Sequence, residues 1–334
     1  MYWYEKQAEE PSIVLSTRVR FARNLEDTPF PARLKEAERK EVFSRIKGVF
    51  KETDYMAVPF DDADSLLKEA YVETHLASRA LADGRPGCGL ILLNDQDVSL
   101  MVNEEDHVRL QVLNAGKSIR ECFEKAIAAV TKLEEKLDFA YRDGLGYLTA
   151  CPTNLGAAMR ISVMIHLPAL TAAGAMGTLI GRLNQAGYTV RGLFGEGSRE
   201  SGSIYQISNQ MSREKGPKKI EEDFTRVIGE VEEQERIMRE KLILREGIAL
   251  EDRVSRALGT LKYAKKMSYG EFIGLYSAVR FGKEAGILEE KGLKELDRLM
   301  IELMPAPMIL RDRSLTDEGE RDRKRCEILR ERLK

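Results

Sequence analysis

Two apolar spacings alternate along the first two thirds of the chain. Runs rich in Val, Ile, Leu and Tyr, bounded by Gly, Asp, Asn or Pro, occupy residues 13–23, 89–94, 98–104, 147–151, 159–168, 189–194 and 204–209. Short runs of this kind predict strands. Helical spacing falls between them, over residues 36–51, 65–82, roughly 110–137 and 170–185. In the first of these, Val42, Phe43, Ile46, Val49 and Phe50 share one face, and in the third Cys122 and Phe123 fall among the apolar positions. Gly216-Pro217 then breaks the alternation. Beyond it the spacing is helical throughout, as in Phe224, Val227, Ile228 and Val231, and again in Val254, Ala257, Leu258 and Leu261. Pro305-Ala306-Pro307 sets off a last charged helix over residues 316–333. The pattern predicts an α+β domain over residues 1–215 and a smaller all-α domain over residues 216–334.

Composition narrows the class. A chain of 334 residues with 32% charged and 43% hydrophobic positions is expected to be globular, with two domains. Its 53 basic and 55 acidic residues leave a formal charge of −2, so no global field recruits nucleic acid or anionic lipid. No apolar run reaches the ~18 residues of a membrane span, and the polar opening over residues 1–11 does not read as a signal peptide. Cys88, Cys122, Cys151 and Cys326 lie far apart without C-x-x-C spacing, which argues against a zinc site or a disulfide framework. A reducing cytoplasm is the expected compartment.

The chemistry concentrates at strand ends. Asn103-Glu104-Glu105-Asp106-His107-Val108-Arg109 follows the apolar run 98–102 and brings three carboxylates, an imidazole and a guanidinium to one place. The plainer alternative is a solvated strand end. In Ser16-Thr17-Arg18-Val19-Arg20 a period of two puts both arginines on one face, where they repel unless an anion lies between them. Surface ion pairs are the alternative there. Arg160 follows the turn-forming Cys151-Pro152-Thr153-Asn154-Leu155-Gly156, and Arg191-Gly192-Leu193-Phe194-Gly195-Glu196-Gly197 is a glycine-punctuated loop after a strand. Five arginines at separate strand ends, with glycine-rich loops, point to a clamp for a polyanion such as a triphosphate. Neither a P-loop nor the protein-kinase H-R-D and D-F-G set is present.

Taken together, S-T-R-V-R at 16–20, N-E-E-D-H-V-R at 103–109, C-P-T-N-L-G at 151–156 with Arg160, and R-G-L-F-G-E-G at 191–197 resemble the guanidino (phosphagen) kinases. Within that superfamily the chain is most similar to the bacterial protein arginine kinases. The resemblance implies an antiparallel sheet flanked by helices, as in guanidino kinase and glutamine synthetase catalytic domains. It implies ATP with Mg²⁺, and nucleotide contacts from Ser16, Thr17, Arg18, Val19, Arg20, His75, Arg109, Arg160, Ile161, Ser162, Val163, Met164, Arg191, Gly192, Leu193, Phe194 and Gly195. No metal ligand from the protein is implied. Glu105 matches the catalytic carboxylate, Glu196 the acid of the mobile loop, and Cys151 the cysteine beside the guanidinium. For His75 a structural histidine is the alternative, and for Cys151 an inert one. Ala157 and Ala158 depart from the Thr and Gly more common in relatives.

The acceptor follows from the same comparison. Kinases of free creatine or arginine resemble one another in having a helical domain of roughly a hundred residues ahead of the S-T-R-V-R motif, whereas here that motif begins at Ser16. An open acceptor side suits an arginine on a protein chain. Arg321-Asp322-Arg323-Lys324-Arg325-Cys326 resembles an R-D-x-x-R-A motif, which implies phosphoarginine binding by Arg321, Asp322 and Arg325, with Cys326 in place of Ala. An ordinary charged helix is the alternative, since Glu320, Asp322, Glu327 and Glu331 supply i, i+4 partners. The resemblance further implies a homodimer through the helical domain, an activator protein, and a Clp-type protease as partner in a stress response. Two other readings stand beside it, an inactive phosphoarginine-binding adaptor and a free-arginine kinase.

Overall fold

The computed structural model describes residues 2–5, 12–93, 96–192, 202–210, 212, 215–289 and 292–333. In chain order the first strand is β1 (Val14–Arg23), followed by α1 (Glu36–Lys47), β2 (Tyr55–Pro59), α2 (Ser65–Glu73) and α3 (Arg79–Ala82). Next come β3 (Gly89–Leu93), β4 (Val98–Val102), β5 (Val108–Ala115), α4 (Ile119–Glu134), β6 (Tyr141–Arg142) and β7 (Gly146–Tyr147). β8 (Met159–His166), α5 (Pro168–Ala172), α6 (Met176–Gln185), β9 (Tyr188–Gly192) and β10 (Ile204–Asn209) complete the mixed part. Six helices follow: α7 (Pro217–Glu246), α8 (Ile248–Tyr263), α9 (Tyr269–Glu284), α10 (Leu293–Glu302), α11 (Pro305–Arg311) and α12 (Glu318–Arg332). Eight strands form one sheet in the order β2-β3-β4-β5-β1-β8-β10-β9, and β6 pairs with β7 in a small ladder. The β2–β3, β3–β4, β4–β5 and β5–β1 pairs are antiparallel. The chain divides into two compact units, one of residues 1–11, 16–163 and 208–226, the other of residues 12–15, 164–207 and 227–334.

Within the first unit, β1 shows how the sequence aims its charges. Thr17, Val19 and Phe21 alternate to a buried face, where the Thr17 hydroxyl donates to the Gly116 carbonyl at 2.8 Å and accepts the Ser118 N–H at 3.1 Å. Arg18 and Arg20 are left on the other face. The register sets Arg20 opposite Gln111 and Ala22 opposite Arg109, so Arg109 emerges on the same face as both β1 arginines. α1 buries Val42, Phe43 and Ile46, with Phe50 just beyond its end, as its periodicity predicts.

Four predicted elements differ. Residues 110–115 are strand rather than the start of a helix. Val108, Leu110 and Val112 alternate with Arg109 and Gln111, and that period of two wins because both edges pair, with β1 and with β4. The helix proper begins only at Ile119. Residues 65–82 break into α2 and α3 at His75, whose φ is +62°, and residues 170–185 break at Gly174, φ +66°. Of residues 147–151, only Tyr147 is in a ladder. β2 is an additional strand, which its short Tyr-Met-Ala-Val-Pro sequence did not announce.

In the second unit, helices α8 and α9 approach closely at Gly282, where an added Cβ would lie 2.2 Å from Val254 Cγ1. Phe272, Ile273, Tyr276, Leu296 and Leu299 are also buried in this unit. Arg239 bridges Glu235 (2.8 Å) and Glu284 (2.5 Å), and Arg280 adds Glu284 and Asp297 (2.9 Å). Glu235 in turn accepts the N–H groups of Ala169 and Leu170 at the start of α5.

Candidate active site

Four guanidinium groups gather in the first unit. Arg18 and Arg20 on β1, Arg109 at the start of β5 and Arg160 on β8 lie near enough to perturb one another. Burial lowers the Arg18 pKa to about 10, with the Arg109 and Arg160 charges adding to the shift. Arg20 is also held well below the usual guanidinium range, by burial first and then by Arg18, Arg109 and Arg160. Its Nε is buried with no hydrogen-bond partner among the described residues. The Glu104 carboxylate pulls the other way: it accepts both from Arg109 Nη1 and from the Ser78 hydroxyl. Arg160 donates to the Ser208 hydroxyl at 2.8 Å. Like charges this close cost free energy unless an anion completes the set, and three phosphate groups are the geometry bidentate guanidinium groups prefer.

The acidic turn between β4 and β5 separates its residues by role. Asn103, at φ +57°, donates its side-chain amide to the carbonyls of Arg39 (2.9 Å) and Gly87 (2.8 Å), which anchors the turn. Asp106 is buried, and one of its oxygens accepts from Asn24 Nδ2 at 2.6 Å and from the Ala150 N–H at 2.7 Å. His107 is fully buried; its Nδ1 accepts the Leu25 N–H at 3.0 Å, so its Nε2–H donates to the Pro29 carbonyl at 2.9 Å. Both residues are thereby structural. Glu105 alone is exposed. Desolvation raises its pKa, the Asp106 carboxylate adds to the rise, and Arg109 opposes it. A carboxylate so tuned is a better proton acceptor than an ordinary one.

The remaining predicted residues are placed as follows. Cys151 is half-buried at the start of the 3₁₀ turn Pro152–Asn154, its sulfur 3.0 Å from the Thr153 hydroxyl. His75 is half-buried, its Nε2 unpartnered among the described residues, its pKa held at about 4 by burial and then by Arg18. The Trp3 ring lies 6.3 Å from it, and Trp3 Nε1 donates to the Thr74 carbonyl at 2.8 Å. Ser16, Thr17, Val19, Ile161, Ser162 and Val163 are buried in their strands, and Met164 is half-buried. Ile161 and Val163 alternate to the face opposite Arg160. In the second unit Arg191 is exposed on β9, which ends at Gly192. Leu193, Phe194, Gly195 and Glu196 lie outside the described residues.

The helical motif is turned inward at two of its three positions. Arg325 is buried; its Nη1 donates to the Met267 carbonyl and to Asp322, each at 2.7 Å, and Nε and Nη2 donate to the Leu303 carbonyl at 3.3 Å. Asp322 is buried with it. Arg321 is half-buried and donates to the carbonyls of Leu315 and Thr316. Asn24 carries no motif in the sequence, because its partners Asp106 and His107 come from a distant segment, and the Ser78 contact of Glu104 is equally remote.

A family model described as "ATP:guanido phosphotransferase, C-terminal catalytic domain" matches residues 36–238, and one described as "Protein-arginine kinase McsB C-terminal domain" matches residues 247–334. Among curated proteins, the "Protein-arginine kinase" of Halothermothrix orenii is 39% identical over 99% of this chain and 96% of its own length. That of Bacillus subtilis is 37% identical over 99% and 93%. The solved structure of lombricine kinase matches at a TM-score of 0.61 and 20% identity, over 73% of this chain and 71% of its own. The substrate-free duplicated taurocyamine kinase of Schistosoma mansoni matches at 0.61 and 20%, over 81% and 41%. At that identity the two structures speak for the fold, an antiparallel sheet flanked by helices. The matches over nearly the whole chain go further: it belongs to the protein-arginine kinases, within the ATP:guanido phosphotransferase family.

Proposed function

We propose that this protein transfers the γ-phosphoryl group of ATP to the guanidinium of arginine residues in proteins, giving phosphoarginine. The observation that carries the reading is the cluster of four guanidinium groups, one of them Arg109, which also acts on Glu105, the exposed residue of the acidic turn. A guanidinium keeps its proton to a pKa above ~12 and is a poor nucleophile at neutral pH. Glu105 orients the acceptor and takes a proton from its nitrogen as the N–P bond forms. The bond from the γ-phosphorus to the bridging oxygen breaks, and ADP leaves. Arg18, Arg20, Arg109 and Arg160 offset the phosphate charge, which is most of what this chemistry asks of a protein. Arg191 and Glu196 take the fifth clamp position and the second carboxylate by the motif they share, and Cys151 is an auxiliary to the acceptor rather than a covalent nucleophile.

Mg²⁺, bound to ATP, would add positive charge to that of Arg18, Arg20, Arg109 and Arg160 at the phosphates. Among the described residues no group of three or more His, Cys, Asp or Glu side chains could hold a metal ion. Residues 1–215 form the catalytic domain and residues 216–334 a helical domain for dimerisation and phosphoarginine recognition. The protein acts in the cytoplasm, where cysteines such as these four stay free. Among the described residues no helix is long and apolar enough to cross a membrane. An activator protein and a Clp-type protease are the partners that fit a role in marking proteins for degradation.

The test supplies labelled ATP with Mg²⁺ to an arginine-rich protein and, separately, to free arginine, with Glu105→Gln as control. Acid-labile, hydroxide-stable label on the protein alone is the expected result, with transfer abolished and nucleotide binding retained in Glu105→Gln. Label on free arginine instead would overturn the choice of acceptor. Normal turnover by Glu105→Gln would overturn the role of that carboxylate.

A further inference from the structure

Phosphoryl transfer depends on holding the acceptor nitrogen in line with the γ-phosphorus, and a misplacement of about 1 Å can cost about 10²-fold in rate. The two groups assigned to the acceptor come from segments far apart in sequence. Glu105 sits in the turn between β4 and β5, and Cys151 in the connection between β7 and β8. The ladder of β4 and β5 fixes the first segment, but the second has little regular structure to fix it. Something else must set the distance between them.

We propose that the buried pair Asp106–Asn24 is the positioning device that holds Glu105 and Cys151 in a common geometry. The inference rests on the acceptor roles proposed above for those two residues. Asp106 lies between the two groups to be fixed. Asp106 follows Glu105 directly, and its Oδ1 accepts the N–H of Ala150, the residue before Cys151, at 2.7 Å. The same oxygen accepts Asn24 Nδ2 at 2.6 Å. Asn24 closes the loop in both directions. Its Nδ2 also donates to the Leu148 carbonyl at 3.1 Å, and its Oδ1 accepts the His107 N–H at 2.9 Å. One amide and one carboxylate therefore join the end of β1, the Glu105 turn and the Cys151 segment. Asn24 is 1% and Asp106 3% exposed, so water does not compete for these bonds. Neither side chain reaches the acceptor; both act through their neighbours.

The geometry separates positioning from charge. Both contacts to Asp106 fall on one oxygen that only accepts, so the amide of Asp106→Asn can keep both, while Asp106→Ala loses both. Four variants are compared with the parent: Asp106→Ala, Asp106→Asn, Asn24→Ala and Glu105→Gln. Turnover and KM are measured with a protein acceptor, and ATP affinity is read from the fluorescence of Trp3, the single tryptophan, whose ring lies beside His75. Iodoacetamide reports on Cys151, because Cys88, Cys122 and Cys326 are buried. The expected result is a kcat loss of about 10²-fold in Asp106→Ala and in Asn24→Ala. ATP affinity stays within about twofold, Cys151 alkylates faster, and Asp106→Asn recovers most of the rate. Either alanine variant suffices should the other fail to fold. Parental kcat in a folded alanine variant would overturn the proposal. So would equal losses in Asp106→Asn and Asp106→Ala, or a loss of ATP affinity in step with kcat. Parental turnover by Glu105→Gln would instead sink the acceptor reading beneath it.

Discussion

Ala158 adopts φ +49°, a conformation that its Cβ disfavours by about 1 kcal/mol. It is held there because its carbonyl accepts the Ala22 N–H at 2.9 Å, which ties the approach to β8 onto the end of β1. Glycine takes this conformation freely, so Ala158→Gly is expected to raise stability by about 0.5 kcal/mol, net of its greater unfolded-state entropy. Chemical denaturation checks this, and a lower midpoint would mean that packing around the buried methyl outweighs the strain. At this scale the sequence was partly legible. The two arginines of β1 share a face because strands alternate, and that much follows from spacing alone. The division of labour among Glu104, Glu105, Asp106 and His107 did not follow, because it is decided by Ser78, Asn24, Ala150 and Pro29, none of them close in sequence.

The elements teach the same lesson in a different form. Residues 108–115 satisfy both a strand and a helix pattern over part of their length, and only pairing on both edges decides between them. The helix α12 was legible as a helix, with Asp317 capping its first turn by accepting the Glu320 N–H. Its highly charged sequence concealed that Arg325 is a core residue. Through Met267 ahead of α9 and Leu303 at the end of α10, that one guanidinium joins three helices. Removing it leaves the Asp322 carboxylate buried without its partner, so Arg325→Ala should destabilise the helical unit by about 3–5 kcal/mol. A thermal melt of the variant checks this, and an unchanged melting temperature would return Arg325 to the role of a ligand-binding side chain. Arg321, half-buried, is the cleaner probe of phosphoarginine binding.

For the molecule as a whole, its three histidines act alike. Burial is the main cause holding His75, His107 and His166 at pKa values of about 4. The unfolded value is near 6.5. Above that pH both states are neutral and the histidines are silent. As pH falls below it the unfolded chain takes up protons that the folded chain refuses, so stability declines until about pH 4. Each histidine contributes about 3 kcal/mol to that decline. Urea titrations at a series of pH values should show a plateau above about pH 7 and a steep loss below about 6, and a flat profile would contradict the burial argument. The strand order has a consequence in time. Arg18 lies on the first strand, yet that strand's partner residue is Leu113, and no nearer segment pairs with it there. On a ribosome adding about 5–20 residues per second, β1 waits on the order of 5–20 s for β5 to be made. Throughout that interval the nascent chain carries an unpaired, half-apolar strand edge of the kind that chaperones recognise, and no truncated product ending before β5 could assemble the arginine cluster.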